Sequence, residues 1–283
     1  MISRDELDRR AQDRAFPDGT PFRGISVADV IDLSRAHATS GRDVEAAALE
    51  AGIVPERYAR NMRTFSPADQ TTLLGAHAAV IGLGGLGGTV VEILARLGVG
   101  RLTLLDGDRF EDSNLNRQLL STVPDLGLPK AEAARQRVER INPSVEVAAH
   151  ARFLTAENAA ELLAGCGVVV DCLDNLPARF VVEDACRDAG VPMVSAAVGG
   201  ASGHLTTVFP GDRGLRLIYG DPAQAPRKGA ETALGTVPHC VVCMASLECA
   251  EVVKLLLHKG NPLRDRLLLA DLTEGLIEVM NLR

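Results

Sequence analysis

From Phe65 onward, short apolar runs alternate with longer stretches whose apolar positions recur at helical spacing. His77-Ala-Ala-Val-Ile81 is a short apolar run, closed by glycines at 82, 84, 85, 87 and 88. Thr89 to Leu97 then places Val90, Val91, Ile93, Leu94 and Leu97 on one helical face, and Leu102 to Leu105 forms a second apolar run ending on Asp106. Further on, the pattern predicts helices over Lys130–Arg140, Ala156–Leu163, Pro177–Ala189 and Pro238–His258. It predicts strands over Val145–Ala149, Gly167–Cys172, Val191–Ala197, His204–Phe209, Arg266–Ala270 and Leu276–Met280. Such alternation implies an α/β fold, a doubly wound Rossmann-like and mostly parallel sheet with antiparallel C-terminal strands. Residues 210–237, rich in Gly, Pro and Arg, read as a long irregular loop.

The first 64 residues differ. Ser26–Ala36 and Arg42–Ala51 carry helical spacing, with Pro17, Pro21 and Gly24 before them and Gly52 and Pro55 after. The expected organisation is a small helical extension over 1–64, followed by one nucleotide-binding domain over 65–283.

Composition narrows the class. The 283 residues are 46% hydrophobic and 24% charged, enough for one large α/β core in an ordinary globular chain. A net charge of −7 argues against a nucleic-acid surface, which needs a basic footprint. The charged N-terminus lacks the apolar core of a secretory signal, and no stretch approaches the roughly 20 apolar residues of a membrane span. The six cysteines sit mostly inside apolar runs, as reduced buried thiols do. A cytoplasmic location without membrane or nucleic-acid partners is expected.

Gly82, Gly84 and Gly87 have G-x-G-x-x-G spacing between a strand and a helix, and Asp106 lies 19 positions beyond Gly87. Glycines there permit a sharp turn and close approach of a phosphate to amides at a helix N-terminus, and an acid at that distance suits a ribose hydroxyl. NAD and ATP would be served alike. The residues that follow tilt the balance. Ser113-Asn114-Leu115-Asn116-Arg117-Gln118 brings an amide donor and a guanidinium fork, which a triphosphate needs and NAD does not. The alternative is a surface loop with an incidental arginine. Lys130 opens a helix, a place where a cation is unfavourable unless an anion lies beside it. Asp174 follows a nearly all-apolar strand and falls at the crevice that receives the glycines. It suits Mg²⁺, and it also suits capping the helix near Pro177; both roles can hold at once.

Taken together, Gly-Leu-Gly-Gly-Leu-Gly, Leu-Leu-Asp-Gly-Asp with Ser-Asn-Leu-Asn-Arg-Gln, Pro-Lys-Ala-Glu-Ala-Ala running to Ile-Asn-Pro, and Asp-Cys-Leu-Asp-Asn resemble the HesA/MoeB/ThiF family, bacterial relatives of the ubiquitin-activating enzymes. The resemblance covers about residues 57–260, in order and at compatible spacing. It implies a homodimeric adenylyltransferase that uses MgATP to adenylate the C-terminal carboxylate of a small ubiquitin-like sulfur-carrier protein ending in Gly-Gly. By that resemblance Gly82, Gly84, Gly85 and Gly87 cradle ATP and Asp106 binds its ribose, with Asp108 and Asn175 in the nucleotide site. Asn114, Arg117 and Lys130 contact the phosphates and Asp174 holds Mg²⁺. Arg57-Tyr58-Ala59-Arg60 resembles the family's Arg-Tyr-x-Arg segment, which implies that Arg60 reaches the γ-phosphate in the partner subunit.

The resemblance thins toward the C-terminus. Many members hold zinc with two separated Cys-x-x-Cys pairs, whereas this chain offers only Cys240-Val-Val-Cys243, so no structural zinc is expected. No cysteine occurs between 211 and 238 for a covalent sulfur link, Cys240 being the nearest. Activation is expected to stop at the acyl-adenylate. Arg213, Arg216, Arg227 and Lys228 would close over the partner's tail, along the small residues Gly199 to Gly203. Competing readings are an NAD-dependent oxidoreductase, adenylation of a carboxylate on a peptide or modified tRNA, and a non-catalytic partner-binding relative.

Overall fold

Serine caps set the first helical boundaries. The computed structural model describes residues 2–224, 229 and 231–282, and opens with α1 (Arg4–Arg10), β1 (Gln12–Ala15), β2 (Pro21–Ile25), α2 (Val27–His37), α3 (Gly41–Glu50) and β3 (Ile53–Pro55). Ser3, Ser26 and Ser40 each accept a hydrogen bond from the amide three residues on, satisfying a donor that a first helical turn leaves open. The two helices expected from periodicity are present. The segment is nevertheless not helical throughout, because β2 pairs antiparallel with β1 and parallel with β3. All four residues of β1 are exposed, so no apolar alternation marks it in the sequence. Leu7, Ile25, Val30, Leu33, Val44 and Ile53 give this segment a core of its own.

The chain continues through α4 (Pro67–Gly75), β4 (His77–Ile81), α5 (Gly85–Leu97), β5 (Arg101–Leu105), α6 (Lys130–Ile141), β6 (Glu146–His150), α7 (Ala156–Leu162), β7 (Val168–Asp171) and α8 (Leu176–Ala189). Then follow β8 (Met193–Gly199), β9 (Ser202–Val208), α9 (Arg216–Tyr219), α10 (Glu231–Leu234), α11 (Pro238–Leu257), β10 (Arg266–Asp271) and β11 (Leu276–Asn281). The large sheet has the order β11-β10-β9-β8-β7-β4-β5-β6. Its strands are parallel from β6 to β8 and antiparallel from β8 to β11. The expected α/β architecture is thus the observed one. Residues 210–237, expected as irregular, contain the four-residue helices α9 and α10, each too short to display a helical period.

Period-two alternation buries the parallel strands on both faces. Ala78, Val80, Leu102, Leu104, Val168 and Val170 face α5, α6 and α11, whereas Ala79, Ile81, Leu105 and Val169 face α7 and α8. One buried charge pair fastens the middle of the sheet. Arg179 of α8 donates to Asp171 Oδ2 at 3.0 Å, Ser195 Oγ at 3.0 Å and the Ala196 carbonyl at 2.7 Å, and also to the Leu173 carbonyl. It thereby holds the turn after β7 against β8.

Removing one partner of such a pair strands the other charge in a dry interior. Arg179→Met should lower unfolding free energy by about 3–5 kcal/mol, read as a fall in urea midpoint, and Asp171→Leu added to it should recover most of the loss. A single-variant loss below about 1 kcal/mol would refute the anchoring role.

Candidate active site at the strand switch point

After β4 the chain runs outward to β5 and β6, then returns to β7 on the other side of β4. At such a reversal the loops beyond β4 and β7 diverge and leave a crevice at the carboxyl ends of the strands. A cavity of about 1000 Å³ lies there, with Gly82, Gly84, Gly85, Asp106, Arg117 and Lys130 in one part of its wall and Asp174, Asn175, Gly199, Gly203 and His204 in another.

The glycine turn is built for close approach. Gly82 has φ +88°, and a Cβ on Gly87 would fall 1.8 Å from the Gly82 carbonyl oxygen. Gly84 is the N-cap of α5 and supplies no side-chain cap, so the first amides of that helix are open to an anion. Asp106, 7% exposed, accepts from the Leu83 amide at 2.7 Å and from the Asp108 amide at 2.8 Å. It braces the turn as well as lining the cavity. Lys130 Nζ lies 3.1 Å from Asp108 Oδ2 and 3.9 Å from Asp106 Oδ2. The anion that a cation at a helix start calls for is thus supplied by the protein's own carboxylates.

Other assigned residues fall differently. Arg117 lines the cavity while its Nη1 donates to the Ser113 carbonyl at 3.0 Å and Asn116 Oδ1 at 2.8 Å. Asn114 is buried, is absent from the cavity wall, and accepts from the Glu111 amide at 3.1 Å in a local cap. The helix cap that Asp174 was weighed for belongs to Asn175, whose Oδ1 accepts from the Ala178 amide at 2.9 Å. That leaves Asp174 exposed at the cavity wall with no hydrogen bond or ion pair among the described residues. Arg60 is exposed and does not line this cavity. Arg227 and Lys228 lie outside the described residues, while Arg216 pairs with Glu183 at 2.9 Å, away from the wall.

The cavity also recruits residues that the sequence did not single out. Gln118 is buried in the wall and its Oε1, a hydrogen-bond acceptor, has no partner among the described residues. Phe153 lies over Gly107 and is 61% exposed at the wall. His204 Nε2 meets the Tyr219 hydroxyl at 2.7 Å, and burial first, then the charge of Arg179, hold its imidazole down at about 4. The only signal for Gln118 was its place beside Arg117. Nothing local in the sequence singles out the other two.

Open helix amides and two cations suit a polyphosphate, the buried Gln118 amide oxygen suits a hydrogen-bond donor of a ligand, and the exposed Asp174 carboxylate, unpaired among the described residues, suits a hydrated Mg²⁺. Thiols are poorly placed for chemistry. Cys240 is fully buried and burial pushes its thiol up, so its position in the first turn of α11 does not activate it. Cys243 is half-buried, and no group of three or more His, Cys, Asp or Glu able to hold a metal occurs among the described residues.

A model of the ThiF family matches residues 58–283. The chain is 36% identical over 233 residues to the SAMP-activating enzyme E1 of Haloferax volcanii, covering 81% of this chain and 85% of that protein. The chain belongs to the ThiF family. A second ThiF-family relative, the sulfur carrier protein adenylyltransferase of Thermus thermophilus, is 37% identical over 239 residues, covering 81% and 87% of the two chains. The solved structure of E. coli MccB shares the fold with a TM-score of 0.69 and 22% identity, over 80% of this chain and 69% of that one. The match to the ThiF model begins at Tyr58, so residues 1–57 lie outside the matched part. No helix among the described residues is long and apolar enough to cross a membrane.

Two outcomes follow from this geometry. Gly87→Ala forces its methyl into the Gly82 carbonyl and should weaken nucleotide binding by about 100-fold or more, measured by titration calorimetry with ATP; unchanged affinity would show that the turn does not hold the ligand. His204 is neutral when folded at pH values where the unfolded chain, with a pKa of about 6.5, is already protonated. Its contribution to stability is whole above pH 6.5 and is lost as pH falls toward 4. His204→Gln should flatten that part of a urea-midpoint profile, and an unaltered slope would contradict the assignment.

Proposed function

We propose that this adenylyltransferase of the ThiF family joins the AMP part of ATP to the C-terminal carboxylate of a small ubiquitin-like sulfur-carrier protein ending in Gly-Gly, with release of pyrophosphate. The observation that carries the reading is one cavity in which an uncapped glycine-walled helix start, Arg117, Lys130 and an Asp174 unpaired among the described residues share a wall with the small residues Gly199 and Gly203. The names of the Haloferax and Thermus relatives support the substrate class.

In this reading a carboxylate oxygen of the carrier bonds to the α-phosphorus, and the bond from that phosphorus to the bridging oxygen breaks. No general base is needed, since a C-terminal carboxylate is ionised near pH 7. Positioning and charge neutralisation carry the rate. Gly82, Gly84, Gly85 and Gly87 admit the phosphates to the α5 amides, Asp106 faces the ribose, and Asp108 and Asn175 line the same cavity. Arg117 and Lys130 face the phosphates. Asn114 acts from behind, by shaping the loop that carries Arg117. Asp174 would hold Mg²⁺, which supplies charge compensation on the departing pyrophosphate. Arg60, exposed and away from its own cavity, is assigned to the partner subunit's site in a homodimer. The division of the chain near residue 64, and a cytoplasmic location, belong to the same proposal.

The test is ATP–pyrophosphate exchange with candidate carrier proteins ending in Gly-Gly. Exchange should depend on the carrier and fall by about 100-fold or more in Asp174→Ala, with carrier binding retained. Protection of the fold by NAD rather than ATP, without exchange, would overturn the reading.

A further inference from the structure

The loop from Arg57 to Arg63 carries three arginines at three-residue intervals, and the structure treats them unequally. Arg57 Nε lies 3.1 Å from Glu45 Oε1, and its Nη1 donates to Asn142 Oδ1. Arg63 pairs with Asp18, donates to Thr20 Oγ1 at 2.9 Å, and sits with Cζ 4.7 Å from the Phe16 ring centroid. Arg60, midway between them, is exposed and has no hydrogen bond or ion pair among the described residues.

Each clamp draws partners from the segment that precedes the ThiF match, with Asn142 adding to the first. Glu45 belongs to α3, while Phe16, Asp18 and Thr20 belong to the turn between β1 and β2, stiffened by the stacked rings of Phe16 and Phe22 at 4.3 Å. Between the clamps, Tyr58 is fully buried, donates to Glu45 Oε2 at 3.0 Å and accepts from Asn142 Nδ2 at 2.9 Å. The same Asn142 donates to the Ala95 carbonyl in α5 at 3.0 Å. A Cβ on Gly98, which ends α5, would fall 2.7 Å from the Tyr58 ring. The loop is therefore seated on the far end of the helix whose first turn walls the nucleotide cavity.

We propose that residues 1–56 form a positioning scaffold, which clamps the 57–63 loop at both ends so that Arg60 is presented at a fixed place and angle to the partner subunit. Glu45, Asp18 and Arg63 are positioning residues and touch no substrate. The proposal rests on the reading of Arg60 given above, and it assigns a task to a segment that reading leaves idle. A long flexible arginine on a loose loop loses much of its effect on a transition state, because orientation sets effective molarity.

The exposed clamp is the one to cut, since Arg63 and Asp18 are each about half exposed and their loss leaves the core intact. In the full-length dimer, Asp18→Ala and Arg63→Ala should each lower carrier-dependent ATP–pyrophosphate exchange by about 10-fold, with urea midpoints unchanged. Arg63→Lys, which keeps the pairing with Asp18, should restore part of it. In an Arg60→Ala background neither change should cost anything more. Additive losses, or none, would overturn the proposal. Amide hydrogen exchange supplies a readout independent of activity: residues 57–63 should lose protection in Asp18→Ala, and unchanged protection also overturns it. If the unaltered enzyme shows no exchange with any carrier, the adenylation reading fails, while the hydrogen-exchange result still decides whether the scaffold exists.

Discussion

The contact between Gly87 and the Gly82 carbonyl is the constraint on which the site depends. There is no room for a side chain at 87, so the strand β4 passes into α5 through a turn tight enough to aim the helix start into the switch-point cavity. Asp106 secures that turn through the Leu83 amide, which places a carboxylate from the neighbouring strand β5 beside the same helix start. Arg117 and Lys130 line the same cavity as the turn.

Charge in the cavity is balanced locally before any ligand arrives. Lys130 is held by Asp108 and, more distantly, Asp106, which fixes the ammonium at the wall and limits its freedom to wander into solvent. Below the β7 turn, Arg179 is fully engaged by Asp171, Ser195 and carbonyl oxygens, so it acts on the site through shape and through its field on His204. Nearby Glu248 is pushed far up by burial and then by Asp171, which favours its neutral form beneath the Cys172 thiol. Asp174 is the exception. With Asn175 taking the helix cap, it has no hydrogen bond or ion pair among the described residues.

Two cores divide the work of the chain. The large sheet and its helices build the cavity, while the small N-terminal core of Leu7, Ile25, Val30, Val44 and Ile53 supports a clamp on the loop of Arg60. Tyr58 and Asn142 join the two bodies through hydrogen bonds that are buried on both sides. Geometry at Arg60 is thus tied to α5, and through it to the glycine turn.

The sequence by itself determined the alternating α/β fold, the position of the glycine turn, and the charged and amide motifs, because hydrophobic period and glycine spacing are local properties of a chain. It did not reveal β1 and β2, because β1 is exposed along its whole length and only Gly24 and Ile25 of β2 are buried, too few to show a period. Only the tertiary structure decided that Asn175 rather than Asp174 caps α8, that Asn114 turns away from the cavity, and that Gln118, Phe153 and His204 turn toward it. Such choices depend on which side chain reaches a given donor or opening after the strands have reversed order around β4. Distance along the chain carries no record of that.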